Sequence, residues 1–364
     1  MSTSPSPTQD VARQLVRRAR IPGMRALAWY GNTLYASRGY ELWHALVEVP
    51  DRDLNWQKLA EFRPSWPRRL TVRNRFSARL LRDGFHALSV LSSGGIVGAV
   101  PGAIVTLTPN QREFHPTFHI RRGTRPLHIT AVPGAAVFWG EYFDNPARDE
   151  VHIYASGDAG ASWQIAYTFP KGAVRHVHNI VYDSFQNCLW VLTGDYGEEC
   201  RILRAACDFS RVEVVLQGNQ QARAVAAIPT ADGLYFASDT PLEQNFIYHL
   251  SPDGKLSRLA PIAGSSIYGC RVGEHAFLST MVEPSRVNRD MNVRIYRANL
   301  RHPEQWECVL SWQKDGWPMK FFQYGNAFLP DGNNSTSCLA VSTIAVEADD
   351  MVTSLYSVKP DRLL

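Results

Sequence analysis

The sequence lacks the features that mark several common classes of protein. Its six cysteines include no Cys-x-x-Cys pair and no zinc-finger spacing, so we expect reduced thiols and no disulfide framework. It contains no long apolar run and no apolar segment of the kind found in secretory signals, so we expect no membrane contact and a cytoplasmic location. The net charge is only +4, which gives little support to nucleic-acid binding.

The composition instead favours a protein built of β-strands. Hydrophobic residues make up 45% of the 364-residue chain and aromatic residues 11%, including ten tryptophans. Flat aromatic side chains fill the space between packed sheets, so this share is typical of an all-β protein. The 25 glycines and 22 prolines are scattered singly, as turn residues are. We expect residues 1–10 to be a disordered tail and residues 11–364 to form a single domain.

A short pattern recurs along the chain and marks the start of successive units. Each copy is a variation on an apolar, a polar, a small and a second apolar residue. The copies are mostly about 42 to 55 residues apart, a period suited to four-stranded sheets. They lie at Met24–Leu27, Phe85–Leu88, Leu127–Thr130, Val177–Ile180, Ala222–Val225, Ile267–Cys270 and Phe322–Gly325.

The repeat predicts an all-β fold, a seven-bladed β-propeller whose blades are four-stranded antiparallel sheets. The last unit supplies only three strands, so we expect Val11–Arg18, near the start of the chain, to complete it and close the ring. Six blades, or a pair of two-sheet sandwiches, are the alternatives. Only Phe76–Leu81 has the pattern of a helix. In the fourth unit the strands are predicted at Val177–Tyr182, Cys188–Thr193, Cys200–Ala205 and Val212–Leu216.

One turn between predicted strands has a specific sequence. Residues 156–163 read Ser-Gly-Asp-Ala-Gly-Ala-Ser-Trp. In such a hairpin Asp158 should accept backbone N–H bonds, Gly160 should take a positive φ, and Trp163 should pack between neighbouring blades. The motif resembles the Asp box, or BNR repeat, of sialidase-like propellers, and weaker copies lie at Asp208 and Asp253. In that group the motif is structural and lies away from the active site.

A further resemblance concerns function. Arg20-Ile21-Pro22 is similar to the Arg-Ile-Pro of true sialidases, but the acidic residues that follow it there are missing here, so sialidase activity itself is not expected. The chain looks more like the Asp-box proteins found with bacterial exopolysaccharide genes. That resemblance implies a role in polysaccharide metabolism without specifying a reaction. It is carried by Gly140–Tyr142, Arg175–His178, Thr193–Asp195 and Ser238–Pro241.

Propeller geometry turns the repeat into a prediction of a site. Innermost strands begin at one rim of the central channel, and the loop after each second strand returns to that rim. Bases, acids and cations together are what acid–base chemistry on sugars requires. The plainer alternative is that these side chains only bond inner carbonyls and turns. The repeat starts contribute Arg25, His86, His128, His178, Arg223, Tyr268 and Gln323; the loops contribute Arg38, Glu141, Asp195, Asp239 and Glu283; and His176 lies beside His178.

Three histidines of consecutive units suggest a metal as an alternative. Imidazole binds Zn, Mn or Fe, and a three-histidine site with open positions polarises a substrate. No His-x-x-x-His spacing or nearby carboxylate accompanies His86, His128 and His178. We therefore expect no cofactor, with one divalent metal on these histidines as the alternative.

A basic insertion, residues 63–83, separates the first unit from the second. Guanidinium groups bind carboxylate and sulfate, and aromatic rings stack on sugars, so an acidic oligo- or polysaccharide is the expected partner. Pairing with acids of a neighbouring blade is the plainer alternative, and no nucleic-acid motif accompanies the cluster. The insertion contains one acid, Asp83, and the arginines at 63, 68, 69, 73, 75, 79 and 82.

These features predict a propeller that cleaves an acidic oligo- or polysaccharide, as a glycoside hydrolase or a polysaccharide lyase. For hydrolysis, two of Glu141, Asp195 and Asp239 would serve as acid and as base or nucleophile. For elimination, His128 or His178 would be the base, Tyr268 would protonate the leaving oxygen, and Arg223 would neutralise the substrate carboxylate. The alternative is a propeller of exopolysaccharide biosynthesis that binds a glycan or protein without catalysis. The expected substrate-binding residues are Arg25, Arg38, His86, His176, Arg223, Glu283 and Gln323.

Overall fold

The computed structural model describes residues 15–48, 54–72, 74–134 and 136–359. The predicted tail, residues 1–10, lies outside the described residues, and so do residues 11–14 of the predicted closing strand. None of the described helices is long and apolar enough to cross a membrane. Apart from two 3-10 turns, Gly197–Glu199 and Gln220–Ala222, these helices are α1 (Trp66–Thr71), α2 (Arg75–Leu81) and α3 (Met319–Phe322).

Four sheets are antiparallel, and each consists of four strands that follow one another along the chain. The strands predicted for the fourth unit match the observed ones within one residue at each end. The four sheets are β10 (Thr130–Ala131), β11 (Val137–Gly140), β12 (Val151–Ser156) and β13 (Gln164–Phe169); β14 (His176–Asp183), β15 (Cys188–Gly194), β16 (Arg201–Ala205) and β17 (Val212–Gln217); β18 (Ala224–Thr230), β19 (Gly233–Ser238), β20 (Phe246–Leu250) and β21 (Leu256–Pro261); and β22 (Ser266–Val272), β23 (His275–Thr280), β24 (Asn292–Asn299) and β25 (Glu307–Gln313).

A fifth four-stranded sheet joins the two ends of the described chain. Its order is β1-β29-β28-β26, with β1 paired antiparallel to β29. The expected closure by an N-terminal strand is therefore observed, although the strand runs to residue 22 and not to residue 18. These strands are β1 (Leu15–Pro22), β26 (Asn326–Phe328), β28 (Cys338–Ile344) and β29 (Val352–Val358).

A nine-stranded sheet holds the remaining strands, in the order β27-β2-β3-β4-β5-β9-β8-β7-β6. It contains two antiparallel runs, β2–β5 and β6–β9, joined only where Glu61 and Phe62 pair in parallel with Glu113 and Phe114. The strands are β2 (Arg25–Gly31), β3 (Thr33–Arg38), β4 (Glu41–Leu46), β5 (Gln57–Phe62), β6 (Ala87–Val90), β7 (Ile96–Val100), β8 (Ala103–Leu107), β9 (Glu113–His119) and β27 (Asp331–Asn334).

The sheets are arranged in a ring. Contacts between first strands run β2–β6–β10–β14–β18–β22, and the sheet of β26, β28, β29 and β1 closes the circle, because β26 contacts β23 and β28 contacts β2. This is the architecture of a β-propeller. The short strand β27 was not predicted; it pairs in parallel with β2 and also contacts β6 and β22, so it lies in the middle of the ring.

The sequence of each strand reflects its distance from the centre. Every residue of β7, β8 and β15 is buried, because neighbouring sheets cover both of their faces. The outermost strands β13, β17 and β21 are half exposed and carry polar residues. The core consequently lies in layers between sheets: one cluster joins Val97 and Ile104 to Val137 and Trp139 of the next sheet.

The hairpin at residues 156–163 has the predicted hydrogen bonds. Asp158 accepts bonds from the backbone N–H and the hydroxyl of Ser162, at 2.9 and 2.6 Å, and from the Ser156 hydroxyl at 2.7 Å. Gly160 has a φ of +88°, and Trp163 donates to Thr117 of the preceding sheet. The motif therefore tightens a turn and links two neighbouring sheets.

Candidate functional site

A cavity of about 1070 Å³ lies where the first strands of the sheets converge. All seven residues of the predicted ring line it, and so do four of the five loop residues. The convergence of these positions, which are scattered along the sequence, was the main prediction of the site. The predicted residues in its wall are Arg25, Arg38, His86, His128, His178, Asp195, Arg223, Asp239, Tyr268, Glu283 and Gln323.

Glu141 lies outside this cavity wall, contrary to its predicted place. Its carboxylate accepts bonds from Arg122 Nε at 3.0 Å and from the backbone N–H of His152 at 2.8 Å. Glu141 continues the pairing of β11 with β12 through its own N–H, which turns its side chain towards this pair of donors. Glu141 is therefore engaged in a buried ion pair and is removed from the catalytic set.

The first cluster in the wall consists of two histidines and an aspartate. His176 and His178 are alternate residues of β14, and their rings lie on the same side of the strand, facing Asp195 after β15. The Nε2 atoms of the two rings are 3.1 Å apart, and Asp195 Oδ1 lies 3.5 Å from the first and 3.4 Å from the second. Each Nδ1 lies against a backbone carbonyl, that of Phe143 at 3.0 Å and that of Ala224 at 2.9 Å. His176 lies behind His178 and does not line the cavity.

Three carboxylates share the neighbouring Arg223. Its Nη2 atom is 3.4 Å from Asp195 Oδ1 and 3.5 Å from Asp239 Oδ2. Burial raises the pKa of Asp239 to about 7; Arg223 opposes the shift and Glu283 adds to it. Burial also raises the pKa of Glu283, whereas the pKa of Asp195 is well below its usual range because bonds from the two histidines outweigh its burial. Neighbouring carboxyl groups thus differ in charge near neutral pH.

The second cluster lies around His128. Its Nδ1 atom is 2.9 Å from Asp331 Oδ2 of β27, and its ring contacts that of Tyr268, with centroids 5.9 Å apart. The guanidinium of Arg25 lies over the Phe328 ring, 3.8 Å from its centroid. Burial raises the pKa of the Tyr268 hydroxyl, against the opposing effect of Arg25, so the hydroxyl is protonated at neutral pH.

One side of the cavity is rich in arginines. Among the described residues, no acid lies within ion-pairing distance of five of them. Burial lowers the pKa of Arg125 to about 10, and the positive charges of Arg25 and Arg82 add to this shift. Such crowding of cations favours an anion as the ligand. We call this set the arginine wall: Arg25, Arg38, Arg69, Arg82 and Arg125.

Most of the other arginines of the insertion form ion pairs with acidic side chains, in agreement with the alternative that the basic cluster is neutralised by acids of the protein itself. Arg79 is buried on α2 and reaches across to Asp315, which follows β25, and to Asp350, between β28 and β29. Arg73 lies outside the described residues. The insertion itself forms α1 and α2, whereas only part of α2 was predicted as helix. The pairs are Arg63 with Glu61 and Glu113, Arg68 with Asp83, Arg75 with Asp350, and Arg79 with Asp315 and Asp350.

The structure does not bring His86, His128 and His178 together as a ligand set. His128 is bonded to Asp331, and burial lowers the pKa of His86 far below its usual value. In the part of the chain that the structure describes, the group of ligand atoms close enough to hold a metal ion is His176, His178 and Asp195. Of the three histidines in the alternative metal prediction, His178 belongs to this group.

Three residues of the cavity region were missed by the sequence reasoning. Asp331 lies outside every predicted strand, because nothing in Pro330-Asp331-Gly332 indicates a parallel strand at the centre of the ring. Arg125 lies two residues before the third repeat start, and Tyr142 follows Glu141 directly. A wider window around each repeat start would have included Arg125, whereas Tyr142 could have been found as the neighbour of the predicted loop residue Glu141.

Comparisons with known proteins show the fold and no family. No family model and no curated protein matches the sequence. The chain is similar to the WD40 β-propeller domain of Doa1, with a TM-score of 0.56 at 9% identity over 96% of this chain and 98% of that one. It is also similar to a chain of the mitotic checkpoint complex, with a TM-score of 0.56 at 9% identity over 95% of this chain and 96% of that one. The β-propeller domain of Myceliophteria thermophila Cps50 (Swd1) matches with a TM-score of 0.55 at 11% identity over 95% of this chain and 99% of that one. The propeller fold is confirmed, whereas the Asp-box resemblance stays a prediction.

Proposed function

We propose that this protein is a seven-bladed propeller of the Asp-box type that cleaves an acidic oligo- or polysaccharide by β-elimination. The blade number counts the runs β2–β5 and β6–β9 of the nine-stranded sheet as two blades. One observation carries the reaction: a carboxylate-bonded histidine, a buried tyrosine and an unpaired arginine meet in one cavity.

The arginine wall supports an anionic substrate. Arginine binds carboxylate through two parallel N–H bonds, and its charge is worth more in a partly buried site than in water. Arg25 has no acid partner among the described residues, and its Nε has no hydrogen-bond acceptor there. A uronate carboxylate on Arg25 and Arg125 would satisfy these donors. Arg223, to which the sequence analysis gave this role, is instead engaged by Asp195 and Asp239.

The His128 cluster has the groups that elimination needs. Asp331 holds Nδ1, so that Nε2 of His128 acts as the base and takes the proton from the carbon next to the uronate carboxyl group. The released electron pair forms a carbon–carbon double bond as the bond to the glycosidic oxygen breaks. Tyr268 donates its proton to that oxygen, and Arg25 stabilises the charge that develops on the carboxylate. No water or oxidant is consumed.

The test is an assay of His128→Gln and Tyr268→Phe on a panel of uronate-containing oligosaccharides. The wild-type protein should produce an unsaturated uronate, seen as a gain in ultraviolet absorbance. Each variant should lower kcat by at least about 100-fold, the usual contribution of an acid or base. His152→Gln and Tyr182→Phe, which change the same residue types outside the cavity, should keep the wild-type rate. Full activity in both cavity variants would overturn the assignment.

Hydrolysis is a second mode, favoured by the different charge states of Asp195 and Asp239. A carboxyl group with a pKa near 7 beside an ionised one is the pattern of an acid and a base or nucleophile. New reducing ends without the absorbance gain, lost in Asp239→Asn, would select this mode over elimination.

A non-catalytic protein-binding role is a second function, favoured by apolar side chains on the insertion. Trp66 is 74% exposed and Leu70 59% exposed, and Phe76 packs on Trp317 at a ring distance of 5.0 Å. Binding of a protein partner that is lost in Trp66→Ala, with no glycan product in long incubations, would replace the enzyme proposal.

A further inference from the structure

We infer that His176, His178 and Asp195 form a binding site for a divalent transition metal, with Zn²⁺ as the best fit. We call these three residues the His–His–Asp cluster. The inference deepens the proposed function, and its catalytic meaning rests on that function. Metal binding itself is independent of turnover.

The first argument comes from the hydrogen bonds of the two rings. A backbone carbonyl only accepts, so the Nδ1 atoms of His176 and His178, at 3.0 and 2.9 Å from carbonyl oxygens, both carry hydrogens. In its singly protonated form, each ring then presents a lone pair at Nε2. A backbone carbonyl on the distal nitrogen is also the usual outer partner of a metal-binding histidine.

The second argument is the distance between the three acceptors. The two Nε2 atoms and Asp195 Oδ1 form a triangle with sides of 3.1, 3.4 and 3.5 Å. Lone pairs at this spacing repel one another unless a proton or a metal cation lies between them. Zinc bonds of about 2.0–2.2 Å in tetrahedral geometry give ligand separations of about 3.3–3.6 Å. Two sides of the triangle lie in this range and the third, at 3.1 Å, is slightly shorter, so the triangle is close in size to one face of a zinc tetrahedron.

The third argument is the surroundings of the cluster. Both histidines are buried, and β14 and the end of β15 fix the three side chains on rigid elements. Arg175 and Arg223 each approach Asp195 to 3.4 Å, but Asp239 and Glu283 place further carboxyl groups beside Arg223. Net positive charge therefore does not exclude a cation.

The open side of the cluster gives the metal a role. His178 and Asp195 line the cavity, whereas His176 lies behind them, so the fourth coordination position would face the bound sugar. Structural zinc sites are closed by four protein ligands, and sites with three ligands and an open position are catalytic. A metal here would bind an oxygen of the acidic substrate and act as a Lewis acid.

The test measures metal binding to the full-length protein after chelator treatment. Isothermal titration with ZnCl₂ should give one site per chain, and CoCl₂ should give the visible bands of a four-coordinate nitrogen and oxygen site. His178→Gln and Asp195→Asn should weaken Zn²⁺ binding by more than about 100-fold, beyond the effect of losing an outer partner. His249→Gln and His302→Gln, which also remove one imidazole each and lie outside the cavity wall, should bind as the wild type does.

Each outcome separates the metal site from the proposed reaction. Absence of binding to the wild type, or wild-type affinity in His178→Gln, overturns the metal site, and the cobalt spectrum of the wild type decides the matter even if a variant fails to fold. Zinc binding without cleavage of any uronate glycan leaves the metal site standing and removes the lyase proposal. Cleavage at the same rate by the metal-free protein removes the catalytic role of the metal alone.

Discussion

At the scale of single residues, the surroundings of Asp239 determine the pH at which its side chain ionises. Its ordinary pKa of 3.8 rises to about 7 because the side chain is buried, and Oδ1 has no hydrogen-bond partner among the described residues. Between these two values the unfolded chain ionises and the folded protein does not, so the free energy of unfolding falls as pH rises, up to about 7. Ionisation of Asp239 is therefore a cost to folding at alkaline pH.

We predict that Asp239→Asn gains thermal stability relative to the wild type as pH rises from about 5 to about 8, because the amide cannot ionise. Melting temperatures measured across that range test this. Asp208→Asn is the matched control: bonds from Ser210 lower the pKa of Asp208, so its effect should stay constant over the same range. If the melting temperature of Asp239→Asn also differs from that of the wild type by a constant amount over this range, the raised pKa of Asp239 is contradicted.

At the same scale, the sequence predicted most of the positions in the cavity and few of their partners. The ring from Arg25 to Gln323 was predictable because position in the repeat fixes position at the channel. Pairing was not, since Glu141 and Arg122 are 19 positions apart and His128 and Asp331 are 203 apart. Which acid meets which base depends on strand register and on β27, and no local pattern encodes either.

At the scale of elements, the buried guanidinium of Arg79 attaches α2 to the segment between β25 and β26. Arg79 donates to Asp315 at 2.6 Å and to the Phe322 carbonyl at 3.1 and 2.6 Å. We predict that Arg79→Met lowers the free energy of unfolding by about 3 kcal/mol, since it breaks a buried ion pair with Asp315 and removes two donors from the Phe322 carbonyl. Urea unfolding measures this. Arg69→Met, on the exposed side of the same insertion, should change stability by less than about 0.5 kcal/mol. Equal effects of the two changes would show that Arg79 is not an anchor.

The elements also contain a repeat that the sequence analysis did not use. In six units the pairing of the third strand with the outermost strand shifts register after a leucine or isoleucine. The recurrence shows that a bulge at a fixed place twists each sheet. The register shift is visible only once the strands are paired. The repeat starts were therefore the stronger signal in the sequence. The shifts lie at Leu42/Trp43, Ile104/Val105, Ile153/Tyr154, Ile202/Leu203, Ile247/Tyr248 and Ile295/Tyr296.

At the scale of the whole molecule, the ring gives the cavity two chemically different sides. The arginine wall comes from the sheet of β2, from the insertion and from the segment between β9 and β10, whereas Asp195, Asp239 and Glu283 come from loops of three consecutive sheets on from β14. An acidic sugar would be oriented by this difference, with its carboxylate towards the arginines. The all-β ring was predictable from the repeat, whereas the central strand β27 and the helical insertion depend on long-range contacts.

The most direct test of this account is a crystal structure of Tyr268→Phe soaked with an acidic trisaccharide. The variant keeps the arginine wall and lacks the proton donor, so the substrate should remain uncleaved. We predict a sugar in the central cavity with a carboxylate within hydrogen-bonding distance of Arg25 or Arg125. A trisaccharide bound elsewhere on the protein, with the arginine wall free, would contradict the account.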